Sequence, residues 1–380
     1  MATTNTLTGL IPVAYQALAT VARERVGSIE AVSTDVDATG VAVGQTVRVG
    51  IAPVSSVTPI VPGPYAPQNG GQTIGYTDIT ITNSDMVPIA WNGEEQKSVG
   101  GQFQGLFVQQ LEQAFRAHTK AIDAAINAEV RKNSGRAYGT AGQAYFGTAG
   151  DLTELAQLNK ILDDNGAPNQ LRNFVMNSTS RANLAGKQSV LFKVNEAGTS
   201  DLLRKNIIDE LQGFGLHYSN GLVKATAGTL SAGTATASAG DTTITITTPT
   251  GTVVPGDVVS FAGDTNKYVV LTAAAGANTP SFTIAKPGLI NAVSGAAITV
   301  TSSYTAGWAG YKGAIQLLNR APALPTGGDA ASDVTSIIDP VTGLAFQLAM
   351  YKQYKQTIIE VGIAYGVKVV QPEFLVTAIV

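Results

Sequence analysis

Two histidines and a few adjacent carboxylates are the residues of this chain best suited to acid–base chemistry. They are His118, His217 and the pairs Glu94/Glu95, Asp163/Asp164 and Asp209/Glu210. A general base must reach its proton within hydrogen-bond distance, and side chains adjacent in sequence diverge on regular structure. His118 falls on the apolar stripe of a predicted helix, where a packed histidine is the ordinary interpretation. We interpret the carboxylate pairs as surface charge and predict no catalytic residue.

Motifs for metals, phosphates or covalent catalysis are incomplete in this sequence. The chain has no cysteine, which excludes disulfides and thiolate ligands. The stretch "AGKQS" at 185–189 lacks both the upstream glycine of a phosphate loop and a hydroxyl after Lys187. The stretch "DVDATG" at 35–40 opens like a calcium loop, but Thr39 and Thr46 stand where the loop needs ligands. We therefore predict no cofactor and no metal site.

Composition bounds the class of protein. Of the 380 residues, 44% are hydrophobic and only 13% are charged, with a net charge of -3. A chain of this length divides into two or three domains, and its sparse, near-balanced charge gives no basis for specific nucleic-acid binding. The N-terminus has no basic region before its apolar stretch, and no apolar run is long enough for a membrane span. We expect synthesis in the cytoplasm without processing.

Two strand patterns flank a proline-rich stretch and predict a long hairpin. Val47, Val49 and Ile51 alternate with small or polar residues on one side, and Ile79 and Ile81 alternate on the other. Proline lacks a backbone donor, so the stretch between them forms an extended tip and not a central strand. Its candidate intersubunit contact residues are Pro59, Pro62, Pro64, Tyr65 and Pro67.

A long helix is predicted from Leu106 to Ser134. Apolar residues recur on one stripe, at Val108, Leu111, Phe115, Ile122, Ile126 and Val130. Glu112 and Arg116 are spaced to pair and are further contact candidates, and Gly135 stands where a helix-ending glycine is common. At 1.5 Å per residue the helix is about 43 Å long, more than the diameter of a small domain. Such a helix must span more than one compact core.

The predicted secondary-structure pattern of the rest of the chain changes twice. Residues 151–225 read as mixed helix and strand, and residues 226–301 as short strands separated by glycine, proline and asparagine. The mixed pattern then returns from 302 to 380. We interpret the β segment as a module inserted into an α+β protein.

Three stretches resemble the major capsid (coat) proteins of tailed bacteriophages, specifically the short-tailed-phage coat family with an inserted β domain. They are "TTITITTPTGTVVPGDVVSFAG" at 242–263, "IAYGVKVVQPEFLVTAIV" at 363–380, with Gln371 in place of an arginine, and "MVPIAWNGEEQ" at 86–96, which leads into the long helix. The long charged loop of better-known members is absent, because residues 227–240 carry no charge.

The resemblance implies the tailed-phage capsid fold and its division into domains. These are an N-terminal arm and helix (1–45), an extended E-loop (46–84), a peripheral domain (85–150) with a spine helix (about 100–134), an axial domain (151–225 and 302–380) and the inserted β domain (226–301). It further implies a structural, non-enzymatic subunit that assembles with itself into the pentamers and hexamers of an icosahedral shell. Scaffolding and portal proteins would assist assembly, and the virion would hold double-stranded DNA non-specifically.

Two other classes of protein remain open from the residues alone. The Thr/Gly-rich β segment also suits a secreted surface-layer protein or adhesin, for which the N-terminus offers no export signal. A hydrolase that uses scattered carboxylates is the third possibility. Electron microscopy separates the three, because shells, sheets or fibres, and small discrete particles look different.

Overall fold

A computed structural model gives the conformation of most of the chain. It describes residues 10–22, 27–51, 57, 59, 60, 62, 74–188, 210–222 and 224–380. The first ten strands are β1 Ser33–Val41, β2 Thr46–Ile51, β3 Gly75–Thr80, β4 Asn83–Asn92, β5 Arg136–Gly139, β6 Arg172–Met176, β7 Glu210–Leu211, β8 Phe214–Tyr218, β9 Lys224–Ala225 and β10 Ala232–Ala237. The others are β11 Thr243–Thr250, β12 Val258–Phe261, β13 Lys267–Ala273, β14 Ser281–Ile284, β15 Val293–Val300, β16 Tyr304–Tyr311, β17 Ile315–Pro322, β18 Asp333–Ile338, β19 Ala345–Gln353, β20 Gln356–Val369 and β21 Leu375–Ile379. The helices are α1 Ile11–Ala22, α2 Gly27–Glu30, α3 Gly93–Val99, α4 Phe103–Asn133, α5 Thr153–Asp164 and α6 Ser178–Lys187.

The first sheet has six strands and is organised around β20. Its order is β1-β17-β20-β19-β18, and β4 also pairs with β20. One edge of β20 pairs with β4 from Gln356 to Tyr365, and the other edge pairs first with β19 and then with β17. A single strand thus joins two shorter ones end to end, and β4 is left as an edge strand of the sheet.

The long helix α4 lies against this sheet. It has 31 residues, and its buried stripe packs with α1 and with β17, β19 and β20 in one apolar core. The helix predicted from the apolar stripe is present, and it begins three residues earlier than Leu106. At 1.5 Å per residue its length is about 46 Å, and α4 also contacts β13, β16 and β21, which lie outside the first sheet.

Gly135 follows α4 for a different reason from the one that the sequence suggested. Ser134 has extended backbone torsions (φ -76, ψ 148), so the chain leaves the helix directly toward β5 without a left-handed turn. A Cβ at Gly135 would lie 2.5 Å from the carbonyl oxygen of Lys286 and 2.9 Å from that of Pro372. Glycine is needed here because two distant backbone segments approach closely.

A second sheet is formed by β5, β6, β7, β8, β9, β16 and β21. β16 pairs with β21, β6 and β9, and β21 pairs in parallel with β5. The helices α5 and α6 cover it through a separate core that includes Phe146, Leu158, Phe174 and Phe214. Mixed helices and sheets confirm the predicted α+β class.

The segment 302–380 is divided between the two sheets. The resemblance to phage coat proteins implies that it belongs whole to one domain with 151–225, yet β17 to β20 pair with β1 and β4 in the first sheet. The mixed pattern predicted for this segment is wrong, because residues 302–380, all of them described, form strands and two short 3-10 helices and contain no α-helix. Strands covered on both faces carry nearly continuous apolar runs, which cannot be told from helices by periodicity. The full set of domain boundaries stays a prediction.

Strands β10 to β15 close into a barrel, which is the name used below for residues 226–301. The order β12-β15-β10-β11-β14-β13 returns to β12, so each strand has a neighbour on both edges. The barrel has its own core, which includes Ile244, Phe261, Tyr268 and Phe282. It joins the second sheet where β13 pairs with β5, and the chain enters and leaves it through the paired strands β9 and β16.

Candidate assembly surfaces

The hairpin of β2 and β3 is fixed at its base and open toward its tip. Among the described strands, these two pair only with each other. Ile79 and Ile81 at the base are buried against Leu318 and Ala364 of the first sheet. Isolated two-stranded hairpins are only marginally stable. The apolar contact at the base therefore supplies stability that the two strands do not have alone.

An ion pair and an aromatic ring support the middle of the hairpin. Arg48 Nε donates to Asp78 Oδ1 at 2.8 Å, and the Arg48 guanidinium lies 5.5 Å from the centre of the Tyr76 ring. The hydrogen bond from Arg48 lowers the pKa of the Asp78 carboxyl. Both charged side chains are exposed, so the pair orders the strands without burying charge.

The described part of the tip presents apolar side chains to solvent. Val57 is 100% exposed and Ile60 is 96% exposed, and Ile74 and Tyr76 at the start of the return strand are exposed as well. Of the predicted contact residues, Pro59 and Pro62 are exposed here, whereas Pro64, Tyr65 and Pro67 lie outside the described residues. Apolar side chains grouped at such a projecting site are typical of a surface that another molecule covers.

A groove runs between the edge strand β4 and α4. Its volume is about 520 Å³. Trp91 forms part of its wall and donates from Nε1 to Gln110 Oε1 at 2.6 Å, while its ring packs edge-on against Phe103. Within the described part of the chain β4 pairs only with β20, so its other edge offers free backbone donors and acceptors. Groove and edge together form a surface suited to receive an extended segment.

Glu112 and Arg116 lie one turn apart on α4 and are both half-buried. Neither this position nor the exposure of Pro59 and Pro62 tests a contact with another subunit. Their roles as contact residues, and the ion pair predicted between Glu112 and Arg116, stay predictions.

The two histidines hold structural positions on different elements, His118 on α4 and His217 on β8. His118 Nε2 lies 2.9 Å from the carbonyl oxygen of Val361, which ties α4 to β20, and burial lowers the pKa of the ring. His217 Nε2 lies 3.2 Å from Asn173 Oδ1. Among the described residues no group of three histidine, aspartate or glutamate side chains could hold a metal ion. No described helix is long and apolar enough to cross a membrane.

A buried polar network that the sequence analysis missed fastens α4 to its neighbours. Asp123 Oδ1 accepts from the backbone nitrogen of Ser28 at 3.0 Å, and Asn127 Oδ1 accepts from Trp308 Nε1 at 2.9 Å. Ser219 donates to Asp123 and accepts from Asn127. Thr119, Asp123 and Asn127 are polar residues at four-residue intervals in a buried stretch of helix, a signal visible in the sequence.

Comparisons with known proteins give likeness at the level of structure only. No family model matches the chain, and no curated protein matches it. A solved structure described as the capsid of the cyanophage P-SCSP1u is 12% identical and covers 92% of this chain and 86% of its own, with a TM-score of 0.48. One from Mycobacterium phage Che8 is 14% identical, with coverages of 89% and 84% and a TM-score of 0.44.

A virus-like particle from Pyrococcus furiosus is similar over 97% of this chain and 98% of its own, at 10% identity and a TM-score of 0.43. The likenesses therefore extend over nearly whole chains. Every one of these TM-scores is below 0.5.

Proposed function

We propose that many copies of this chain assemble into a closed icosahedral shell, as the major capsid protein of a tailed bacteriophage. The carrying observation is the hairpin, whose base is anchored in the subunit while its tip exposes Val57 and Ile60. An arm of this kind contributes little to its own subunit. Its apolar tip is stabilised only when a neighbouring copy covers it.

The open edge of β4 and the adjoining groove offer such a neighbour a matching surface. An extended segment that lies along an edge strand gains backbone hydrogen bonds, and apolar side chains then occupy the groove. Met86 on β4 and Leu106 on α4 are exposed beside it. Among the described strands this edge has no second partner, and Pro88 alone interrupts its backbone donors.

The charge content favours association through apolar and backbone contacts. Only 13% of residues are charged, and the net charge is -3. Large obligate interfaces are more hydrophobic than transient ones and depend little on salt. Contact with packaged double-stranded DNA would then be non-specific and weak for each subunit.

The proposal assigns pentamers and hexamers of this chain to the shell and gives the chain no catalytic step. It places the assembled protein in the virion after synthesis in the host cytoplasm. A scaffolding protein and a portal protein are further proposed partners during assembly. These assignments rest on the resemblance of residues 242–263 and 363–380 to phage coat proteins.

Negative-stain electron microscopy and light scattering of the purified full chain test the proposal. We expect closed shells or rings of subunits that persist in about 1 M salt, where exposed charges are screened. Flat sheets or fibres would favour the surface-layer alternative. A strict monomer at every concentration, or small discrete particles only, would contradict a capsid.

A further inference from the structure

A cavity of about 370 Å³ lies where the barrel meets the second sheet. Its walls are β5, α5 and the turn that precedes β13. It is separate from the hairpin and from the groove beside β4. The charged side chains that line it are Arg136, Glu154, Lys160, Asp164 and Lys267.

The Arg136 guanidinium is buried at the wall of this cavity. Arg136 is 6% exposed, its Nη2 donates to Asn266 Oδ1, and its Nη1 lies 3.9 Å from Asp164 Oδ2. Asn266 and Asp164 both line the cavity, so the guanidinium faces it. The Nε atom of Arg136 is buried without any hydrogen-bond acceptor. A buried guanidinium donor without an acceptor is unfavourable, because water is no longer there to accept from it.

Two lysines add to the positive charge. The Lys267 ammonium donates to the carbonyl oxygen of Gly139, a neutral acceptor, and burial lowers its pKa. Lys160 is exposed on α5 at the opposite wall. Arg136 is thus a buried cation and Lys267 a half-buried one, and the direct hydrogen-bond acceptors of both are neutral oxygens.

The lining holds two carboxylates against these three cations, and Asp264, which accepts from Asn266, adds a third carboxylate that acts on Arg136. Burial raises the pKa of Glu154, which disfavours its charged form. The Asp164 side chain is 50% exposed, and 3.9 Å is too long for a hydrogen bond to Arg136. Counted with Asp264 the charges are nearly balanced, and what the cavity lacks is a hydrogen-bond acceptor for the buried Arg136 Nε atom.

We propose that this cavity binds a small free molecule through its phosphate or carboxylate group. Arg136, Lys160 and Lys267 are the hydrogen-bond donors to that group. Charge-assisted hydrogen bonds from arginine and lysine are the strong interactions by which proteins hold such groups. The volume is within the range of small-molecule sites, so the ligand is larger than the anionic group alone. Because Asn266 and Lys267 belong to the barrel while Arg136 and Lys160 belong to the rest of the subunit, a bound anion fastens the two together.

Titration calorimetry of the full chain with inorganic phosphate and, in a second arm, with citrate tests the site at constant ionic strength. We expect saturable binding of one anion per chain. Lys160→Gln removes one charged donor from an exposed position and should weaken binding by about tenfold. Lys352→Gln, which changes an exposed lysine on β19 outside the cavity, is the control and should leave binding unchanged.

Gln157→Glu gives a second test that does not depend on removing a cation. Gln157 lines the cavity from α5, and glutamate has nearly the same shape, so the substitution supplies a carboxylate from within. We expect phosphate binding to fall by about tenfold or more and the melting temperature of the ligand-free protein to rise.

No saturable heat up to about 50 mM of either anion would overturn the proposal, as would binding that both substitutions leave intact. Either result leaves the capsid assignment unchanged, because that assignment makes no use of the cavity.

Discussion

In the barrel every strand has a hydrogen-bonded neighbour on both edges, whereas β2 and β3 of the hairpin have, among the described strands, only each other. Both regions are rich in threonine, glycine and alternating apolar residues. The barrel turns its apolar residues into a closed interior that includes Phe261 and Phe282. The hairpin buries only its base and leaves Val57 and Ile60 at the surface.

Closure of the strands is what separates a self-sufficient module from an arm. A closed barrel has no free edge and can shield its core by itself. A two-stranded ribbon has one pairing and two open edges, so it needs another surface for stability. Similar alternating strands therefore suit folding in one region and association in the other.

Excision gives the largest expected difference between the two regions. Residues 226–301 expressed alone should fold and melt cooperatively, because their core and strand pairings are internal. A peptide of residues 45–81 should stay unfolded, since its base packs on Leu318 and Ala364. Circular dichroism with thermal melting distinguishes these outcomes. A random-coil spectrum from the barrel fragment would show that the barrel does not fold as an independent domain.

Truncation of one apolar side chain in each region should separate them by several kcal/mol. Phe282 is buried in the barrel core, so Phe282→Ala should lower the free energy of unfolding of the barrel by about 3 to 5 kcal/mol. Ile60→Ala at the exposed tip should change subunit stability by less than about 0.5 kcal/mol. Hydrogen exchange in the full chain measures both effects. The control is Thr245→Ala at an exposed barrel position, and equal losses at Phe282 and Ile60 would contradict the comparison.

Replacement of the tip should separate folding from assembly. A short Gly/Ser turn in place of residues 59–71 changes loop-closure entropy by under about 1 kcal/mol. We expect near-wild-type far-ultraviolet circular dichroism, together with the loss of regular shells in electron microscopy. The same turn in place of residues 275–278, an exposed loop of the barrel, is the matched control. Normal particles from the tip variant, or its unfolding, would show that the tip has another role.

The ion pair of the hairpin gives the smallest expected effect and a pH dependence of known sign. Arg48 lowers the pKa of Asp78, so the pair contributes stability above the pKa of aspartate in the unfolded chain. That contribution is lost as pH falls through the lowered pKa in the folded chain, in the acidic range below about 4. In Arg48→Gln the pKa of Asp78 should rise toward its ordinary value. An NMR titration checks this, and an unchanged pKa of Asp78 would show that Arg48 does not stabilise its charged form.

Strong local patterns in the sequence predicted the long helix and the strands of the hairpin, but not the all-strand segment 302–380. The stripe from Leu111 to Val130 recurs over several turns, and the length of α4 follows from it. The partners of the strands were not predictable in the same way. Nothing local in β20 shows that β17 and β19 share one of its edges, because that arrangement depends on residues far along the chain.

The candidate surfaces show the same division between features set by local sequence and features set by contacts between distant residues. Proline and glycine in the tip indicate an exposed segment whatever the fold, and Pro59 and Pro62 are exposed. The cavity was invisible in the sequence, because Arg136 meets Asn266 only after the barrel has docked on the second sheet. Gly135 was misread for the same reason, since the backbone segments that require it are distant in sequence.

The pairing of β9 with β16 provides a place in the fold where a foreign domain can be inserted. Ala225 and Tyr304 are direct partners in this pair, so the chain leaves and returns to the second sheet at one place, with Cα atoms about 4.5 to 5.5 Å apart. A foreign domain whose termini lie close together could be spliced in there without stretching the host. If the chain forms a shell, each copy would then carry one such cargo, at a spacing set by the lattice.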